Sequence, residues 1–124
     1  MELKAGTLTG NTNTFENYTT QAGGAVIVYS DASFIMSGGI ISGNTADVGG
    51  GVNVNNSSAK FTKTGGTIYG SNAGANSNKA TAGNTWGHAV VYSYNSSTYY
   101  YCDETLGPND KVSTNNLNNG WKKR

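Results

Sequence analysis

The chain repeats itself, and the spacing of the copies leaves few folds open to it. Gly38-Gly39-Ile40-Ile41-Ser42-Gly43-Asn44-Thr45 recurs as Gly65-Gly66-Thr67-Ile68-Tyr69-Gly70-Ser71-Asn72, and earlier as Ala5-Gly6-Thr7-Leu8-Thr9-Gly10-Asn11-Thr12. A second block reads Gly23-Gly24-Ala25-Val26-Ile27-Val28, then Gly50-Gly51-Val52-Asn53-Val54, then Gly87-His88-Ala89-Val90-Val91-Tyr92. A third reads Ser33-Phe34-Ile35-Met36, Lys60-Phe61-Thr62-Lys63 and Thr98-Tyr99-Tyr100-Tyr101. The blocks keep one order. Phe34 to Ile41 and Phe61 to Ile68 are both 7 residues. The step from second to third block is 8 or 9, while first to second is 18, 11 and 22. Two corners are therefore fixed and one takes insertions.

Three short strands in about 27 residues cannot bury their own apolar side chains. Stacking such units at the roughly 4.8 Å strand spacing pairs the backbone and closes a continuous core. The expected fold is all-β: a parallel β-solenoid with three strands per coil, about three coils and a C-terminal cap. Leu8, Ile41 and Ile68 form one interior ladder, Val26, Val52 and Val90 a second, and Phe34, Phe61 and Tyr99 a third. Val28, Val54 and Tyr92 point inward by the period of two. Gly pairs mark the corners, where positive φ or close approach is needed. Asn11 and Asn44 share a position after a strand, with Asn84 in a later Gly-Asn-Thr, and such amides can bond along the stack. An antiparallel sandwich or barrel also suits short strands with Gly-rich turns, but its strands do not repeat one sequence in register.

Composition supports order and narrows function. Of 124 residues, 18 are Gly and only 12% are charged, with net charge +1. Val, Ile, Thr and Tyr recur in runs that disordered chains lack. No basic field points to nucleic acid, and no apolar stretch approaches the roughly 20 residues of a membrane helix. Met1-Glu2-Leu3-Lys4 carries no export signal.

Ser37-Gly38-Gly39-Ile40-Ile41-Ser42-Gly43-Asn44-Thr45-Ala46, followed by Gly49-Gly50-Gly51-Val52-Asn53-Val54, resembles the Gly-Gly-Thr-Ile-Ser-Gly-Asn-Thr-Ala repeats of bacterial surface proteins with a pectate-lyase-like fold. The resemblance covers most of residues 1–106. It implies a right-handed parallel β-helix, an extracellular or cell-surface setting and an adhesin-like role. Related folds carry polysaccharide lyases and hydrolases, so a fragment or remnant of a carbohydrate-active enzyme is the alternative. The third coil departs from the pattern, with Lys63 in the place of Met36 and a long insert before His88.

Coils are expected over 1–106 and a capping segment and tail over 107–124. Met1 aligns with Phe34 and Leu3 with Met36, so the chain starts inside a strand, as the C-terminal piece of a longer solenoid or a short one with an open first coil. That uncapped coil leads to an expectation of self-association, through a two-fold contact of first coils. At the other end, Asp103-Glu104 replaces the corner glycines and Leu106 falls in register before Gly107-Pro108 stops the strand. Val112, Leu117 and Trp121 anchor the cap, and Lys122-Lys123-Arg124 reads as a solvated tail.

Catalytic chemistry is sparse. Asp31, Asp47, Asp103 and Asp110 are scattered and do not stack at repeat spacing. His88, the only histidine, aligns with Gly51 and has no partners for a triad or a zinc site. Cys102 aligns with Ser37 and Thr64, near the surface at a corner. No catalytic residue, metal ligand or cofactor is implied. The variable corner stands out instead. Residues 12–24 and 71–87 are insertions on one side, and they bring Phe15, Tyr18, Trp86 and His88 toward a glycan or a host or cell-surface protein.

Overall fold

A computed structural model describes residues 1–14, 23–82, 86–93, 100–112 and 121–123, and it is all-β. Its first tier holds β1 (Glu2–Leu3), β2 (Thr7–Thr9), β3 (Thr12–Asn13) and β4 (Val26–Val28). The second holds β5 (Ser33–Met36), β6 (Ile40–Ser42), β7 (Thr45–Ala46) and β8 (Val52–Val54). The third holds β9 (Lys60–Lys63), β10 (Thr67–Ile68), β11 (Lys79–Ala80) and β12 (Val90–Tyr92). Equivalent strands pair in parallel from tier to tier, giving the columns β1-β5-β9, β2-β6-β10, β3-β7-β11 and β4-β8-β12. Among the described residues the only helical turn is a 3₁₀ turn at Gly74–Asn76.

The register follows the repeat. Leu8, Ile41 and Ile68 are partners, as are Val26, Val52 and Val90, and Phe34 lies on Phe61. The two rings stack with centroids 5.0 Å apart. Glu2 pairs with Ile35 and Leu3 with Met36, as the alignment of the first residues requires. Val26, Val28, Phe34, Ile41, Val52, Val54, Phe61, Ile68, Val90 and Tyr92 are all buried, and the half-buried Leu8 packs against them. Thr7 and Thr67 flank Ile40, so no continuous threonine row forms.

At the corner before β6 and β10 only glycine fits. Gly39 and Gly66 have φ of +77° and +74°. A Cβ on Gly66 would come within 2.6 Å of the Gly38 carbonyl oxygen one tier below. The repeated Gly-Gly is thus the cost of bringing two turns within strand spacing of each other.

Four columns replace the expected three. The additional column, β3-β7-β11, consists of two-residue strands too short to show an alternating pattern. It follows an asparagine ladder: Asn11 Nδ2 donates to Asn44 Oδ1 at 2.9 Å, and Asn44 Nδ2 donates to Asn78 Oδ1 at 2.9 Å. The third rung is Asn78; Asn84 lies outside the described residues. The insertions also part company. Ile41 to Asn44 spans 3 residues and Ile68 to Asn78 spans 10, so residues 71–77 extend the corner between the second and third columns. Only the remainder, before Val90, shares a corner with the insertion before Val26.

Parallel stacking ends at β12. Instead of lying over Phe61, β13 (Tyr100–Cys102) turns back and pairs antiparallel with β12, and β14 (Trp121–Lys123) pairs antiparallel with β13. Tyr99 itself is outside the described residues. The cause lies in Lys63. It is the register partner of Met36 and is equally buried, so a further apolar strand above it would strand an ammonium in the core. Chain from the cap supplies acceptors instead: Lys63 Nζ donates to the carbonyl oxygens of Gly107 and Asp110. Desolvation lowers its pKa, and the nearby Asp110 carboxylate opposes that shift. Leu106 sits on Ile68 as expected, but through an antiparallel bridge. Asp103 and Glu104 lie over Gly70, and not over the Gly65-Gly66 corner. Trp121 is buried and Val112 packs against the core; Leu117 lies outside the described residues. Lys122 and Lys123 are exposed strand residues, each about 6 Å from the centroid of a tyrosine ring, Tyr101 and Tyr100 respectively.

Candidate functional site

Of the four residues singled out at the variable corner, Phe15 and Tyr18 lie outside the described residues. Trp86 and His88 stand at the entry to β12 and play different parts.

His88 is fixed by the backbone around it. The pairing of Val90 with Val52 puts Ala89 opposite Gly51 and His88 opposite Gly50, one residue from the sequence alignment. Gly51 faces Ala89 because a Cβ there would meet the Ala89 carbonyl oxygen at 2.5 Å. In β11, Lys79 and Thr81 donate their amides down to Asn44 and Ala46, which leaves the Ala80 amide pointing to the open edge. His88 Nδ1 accepts that hydrogen at 3.1 Å, so this ring nitrogen carries the lone pair. The His88 amide in turn donates to Asp103 Oδ1 at 3.1 Å. The imidazole thus caps the edge of the third column, a structural task.

Two carboxylates are also engaged. Asp47 Oδ1 accepts from the Thr81 hydroxyl at 2.7 Å, and Asp110 Oδ2 from the Gly107 amide at 2.8 Å. Asp31 has φ +57° and donates its amide to Ser58 Oγ. Cys102 is not near the surface. Its turn into the antiparallel strand carries it into the core, where it is fully buried and its thiol pKa is pushed up to about 11, chiefly by desolvation. Among the described residues no group of three or more His, Cys, Asp or Glu side chains could hold a metal ion. None of their helices is long and apolar enough to cross a membrane.

Trp86 belongs to a second cluster on the outer face of the β8-β12-β13 sheet. It is half-buried against Val48, Val91 and Tyr101. Lys122 extends this face: its Nζ lies 6.0 Å from the Tyr101 ring centroid and 3.9 Å from Asp103 Oδ2. The result is a half-buried tryptophan on an apolar footing, with a cation and a carboxylate beside Tyr101 of the same cluster. Such a surface can stack on a sugar ring or an apolar side chain and offer polar contacts at its rim. The repeat pattern pointed to Trp86 but missed Val48, Tyr101 and Lys122. Parallel stacking brings Val48 beside Trp86, where the Gly49 amide donates to the Trp86 carbonyl, and the antiparallel return of β13 and β14 adds Tyr101 and Lys122. No family model, no curated protein and no solved structure matches the chain.

Proposed function

We propose that the chain is a right-handed parallel β-helix that serves as a non-enzymatic scaffold, adhesin-like, at a bacterial cell surface or outside the cell. In this reading the stacked tiers hold the corner around Trp86 rigid, and that corner binds a glycan or a cell-surface protein. The right hand, the setting and the likeness to adhesin-like repeats rest on the Gly-Gly-x-Ile-x-Gly-Asn-Thr pattern of residues 38–45. The division of labour among side chains carries the functional part. His88, Cys102, Asp47 and Asp110 are tied to the backbone or buried, while the Trp86 indole stays half-open on a braced face. Groups that catalysis would use are occupied in holding the fold; a group that recognition would use is presented.

A glycan array run with the chain and with Trp86→Ala tests this. Binding that is lost in Trp86→Ala, with folding intact by circular dichroism, supports the scaffold. A depolymerisation assay on the same polysaccharides is its counterpart. Release of unsaturated or reducing sugar, abolished by substituting Asp103 or Asp110, would replace the scaffold with a carbohydrate-active enzyme.

A further inference from the structure

The asparagine ladder has a direction, and its first rung is unfinished. Asn44 gives its main-chain N–H to Asn78 Oδ1 in the tier above, at 3.0 Å. Its side-chain amide reaches the same oxygen and also reaches back to the Leu8 carbonyl in the tier below, at 3.0 Å. Asn78 repeats the backward reach, to the Ile41 carbonyl at 3.0 Å. Asn11 repeats the forward half, with its N–H and its amide on Asn44 Oδ1. Among the described residues nothing donates to Asn11 Oδ1, and no lower carbonyl receives its second amide hydrogen. Asn44 and Asn78 are fully buried; Asn11 is exposed.

The rest of the first tier is unfinished in the same sense. Leu3 and Leu8 are half-buried, whereas their register partners Met36 and Ile41 are fully buried. A Cβ on Gly39 or Gly66 would meet the carbonyl oxygen of the tier below at 2.9 or 2.6 Å, while one on the equivalent Gly6 would meet nothing within 4 Å. Among the described residues, the space that a neighbouring carbonyl fills twice is open here.

We infer that this face is a docking surface for one more tier of the same repeat, added in parallel and in register, with an asparagine placed on Asn11. The inference rests on the stacked-tier architecture and not on the binding role proposed above. It continues the interface already present between the first and second tiers, where all four columns pair in parallel. A second copy of this chain does not fit as well. Apposed by its own first tier it would run antiparallel, and its Asn11 N–H is already given to Asn44 Oδ1. It would lack the main-chain donor that every complete rung receives. Apposed by its other end it meets the cap over Lys63 and Ile68. Self-association through the first tier is the competing occupant, and the test below separates the two.

The test is a fusion. A copy of residues 33–60 is placed ahead of Met1, so that Met1 follows in the position of Phe61; a shuffled version of the same 28 residues is the control. The expected result is that amides of Thr7–Thr9 exchange at least about tenfold more slowly in the fusion than in the control. Asn11→Ala should shift the melting temperature of the unfused chain little. In the fusion it should shift it about as much as Asn44→Ala does in the unfused chain. Equal exchange in fusion and control would overturn the inference. So would a concentration-dependent dimer of the unfused chain that slows exchange at Thr7–Thr9.

Discussion

Met36 and Lys63 are register partners in adjacent strands, and each is buried, one as a thioether in the core and the other as an ammonium at its end. The pair marks the point at which stacking stops. Lys63→Met should therefore extend the apolar column but remove both donor contacts to the cap. The half-buried Gly107 and Asp110 carbonyls would lose their charged donor, a loss of about 1–3 kcal/mol. Against a total of roughly 5–15 kcal/mol the variant stays folded but melts earlier. Urea unfolding checks the loss, and amide exchange at Trp121–Lys123 should show it concentrated in the cap. An unchanged midpoint would mean that the cap does not depend on Lys63.

The same lysine gives stability a pH dependence with a defined sign. Desolvation lowers its folded-state pKa below the ordinary 10.5. Between those two values the unfolded chain holds more protons than the folded one, so stability rises as pH climbs through that window. Below the lowered pKa the full cost of burying the charge is present. Urea midpoints followed as pH is raised to 10.5 should rise more for the native chain than for Lys63→Met. Parallel profiles would count against the burial of this charge.

Asn44 gathers several polar contacts in the buried interior. Its amide nitrogen lies 2.9–3.0 Å from the Leu8 and Ser42 carbonyls and from Asn78 Oδ1. Asn44→Ala should cost about 1–3 kcal/mol, because the Leu8 and Ser42 carbonyls lose a donor and Asn11 loses its acceptor, while Asn78 Oδ1 keeps the main-chain N–H of residue 44. Asn44→Asp should be at least as damaging, since a carboxylate keeps the acceptor for Asn11 and turns repulsion on the carbonyls. Thermal unfolding of both variants measures this, and an aspartate variant as stable as the native chain would contradict the ladder.

Cys102 should be inert in the native protein. It is fully buried, and its pKa of about 11 leaves about one thiol in a thousand ionised at pH 8. An Ellman-type disulfide reagent should give no signal at pH 8 until denaturant is added, then one equivalent. Rapid labelling without denaturant would place the thiol outside the core.

Much of the fold was legible because a repeat writes register directly into spacing. Leu8, Ile41 and Ile68, or Val26, Val52 and Val90, could be matched by counting, since an apolar side chain in one tier requires another above it. The additional column was not legible. Thr45–Ala46 is too short for a pattern, and the insertion at 71–77 moves Asn78 away from its place in the count. The reversal at Tyr100 was misread for a physical reason. Tyr99 lies 9 residues after Val90, as Phe61 lies 9 after Val52, so spacing suggested another parallel layer. What forbids that layer is the charge on Lys63 beneath it, a property of one side chain that counting ignores. Trp86 was visible as an aromatic in an insertion, whereas its neighbour Tyr101 depends on that reversal.

Stacking by tier also fixes how the chain must find its structure. Register partners are separated by 26 residues for Val26 and Val52 and by 38 for Val52 and Val90. Apart from the local β12–β13 pairing, no parallel column can begin to form until a loop of that size has closed, so distant contacts dominate the search and folding is slow for a chain of this length. The closure between the first two tiers spans the shortest loop in the fourth column, and the second tier alone gains a parallel neighbour on both sides. Residues 33–54 are therefore the natural nucleus from which order spreads toward both ends.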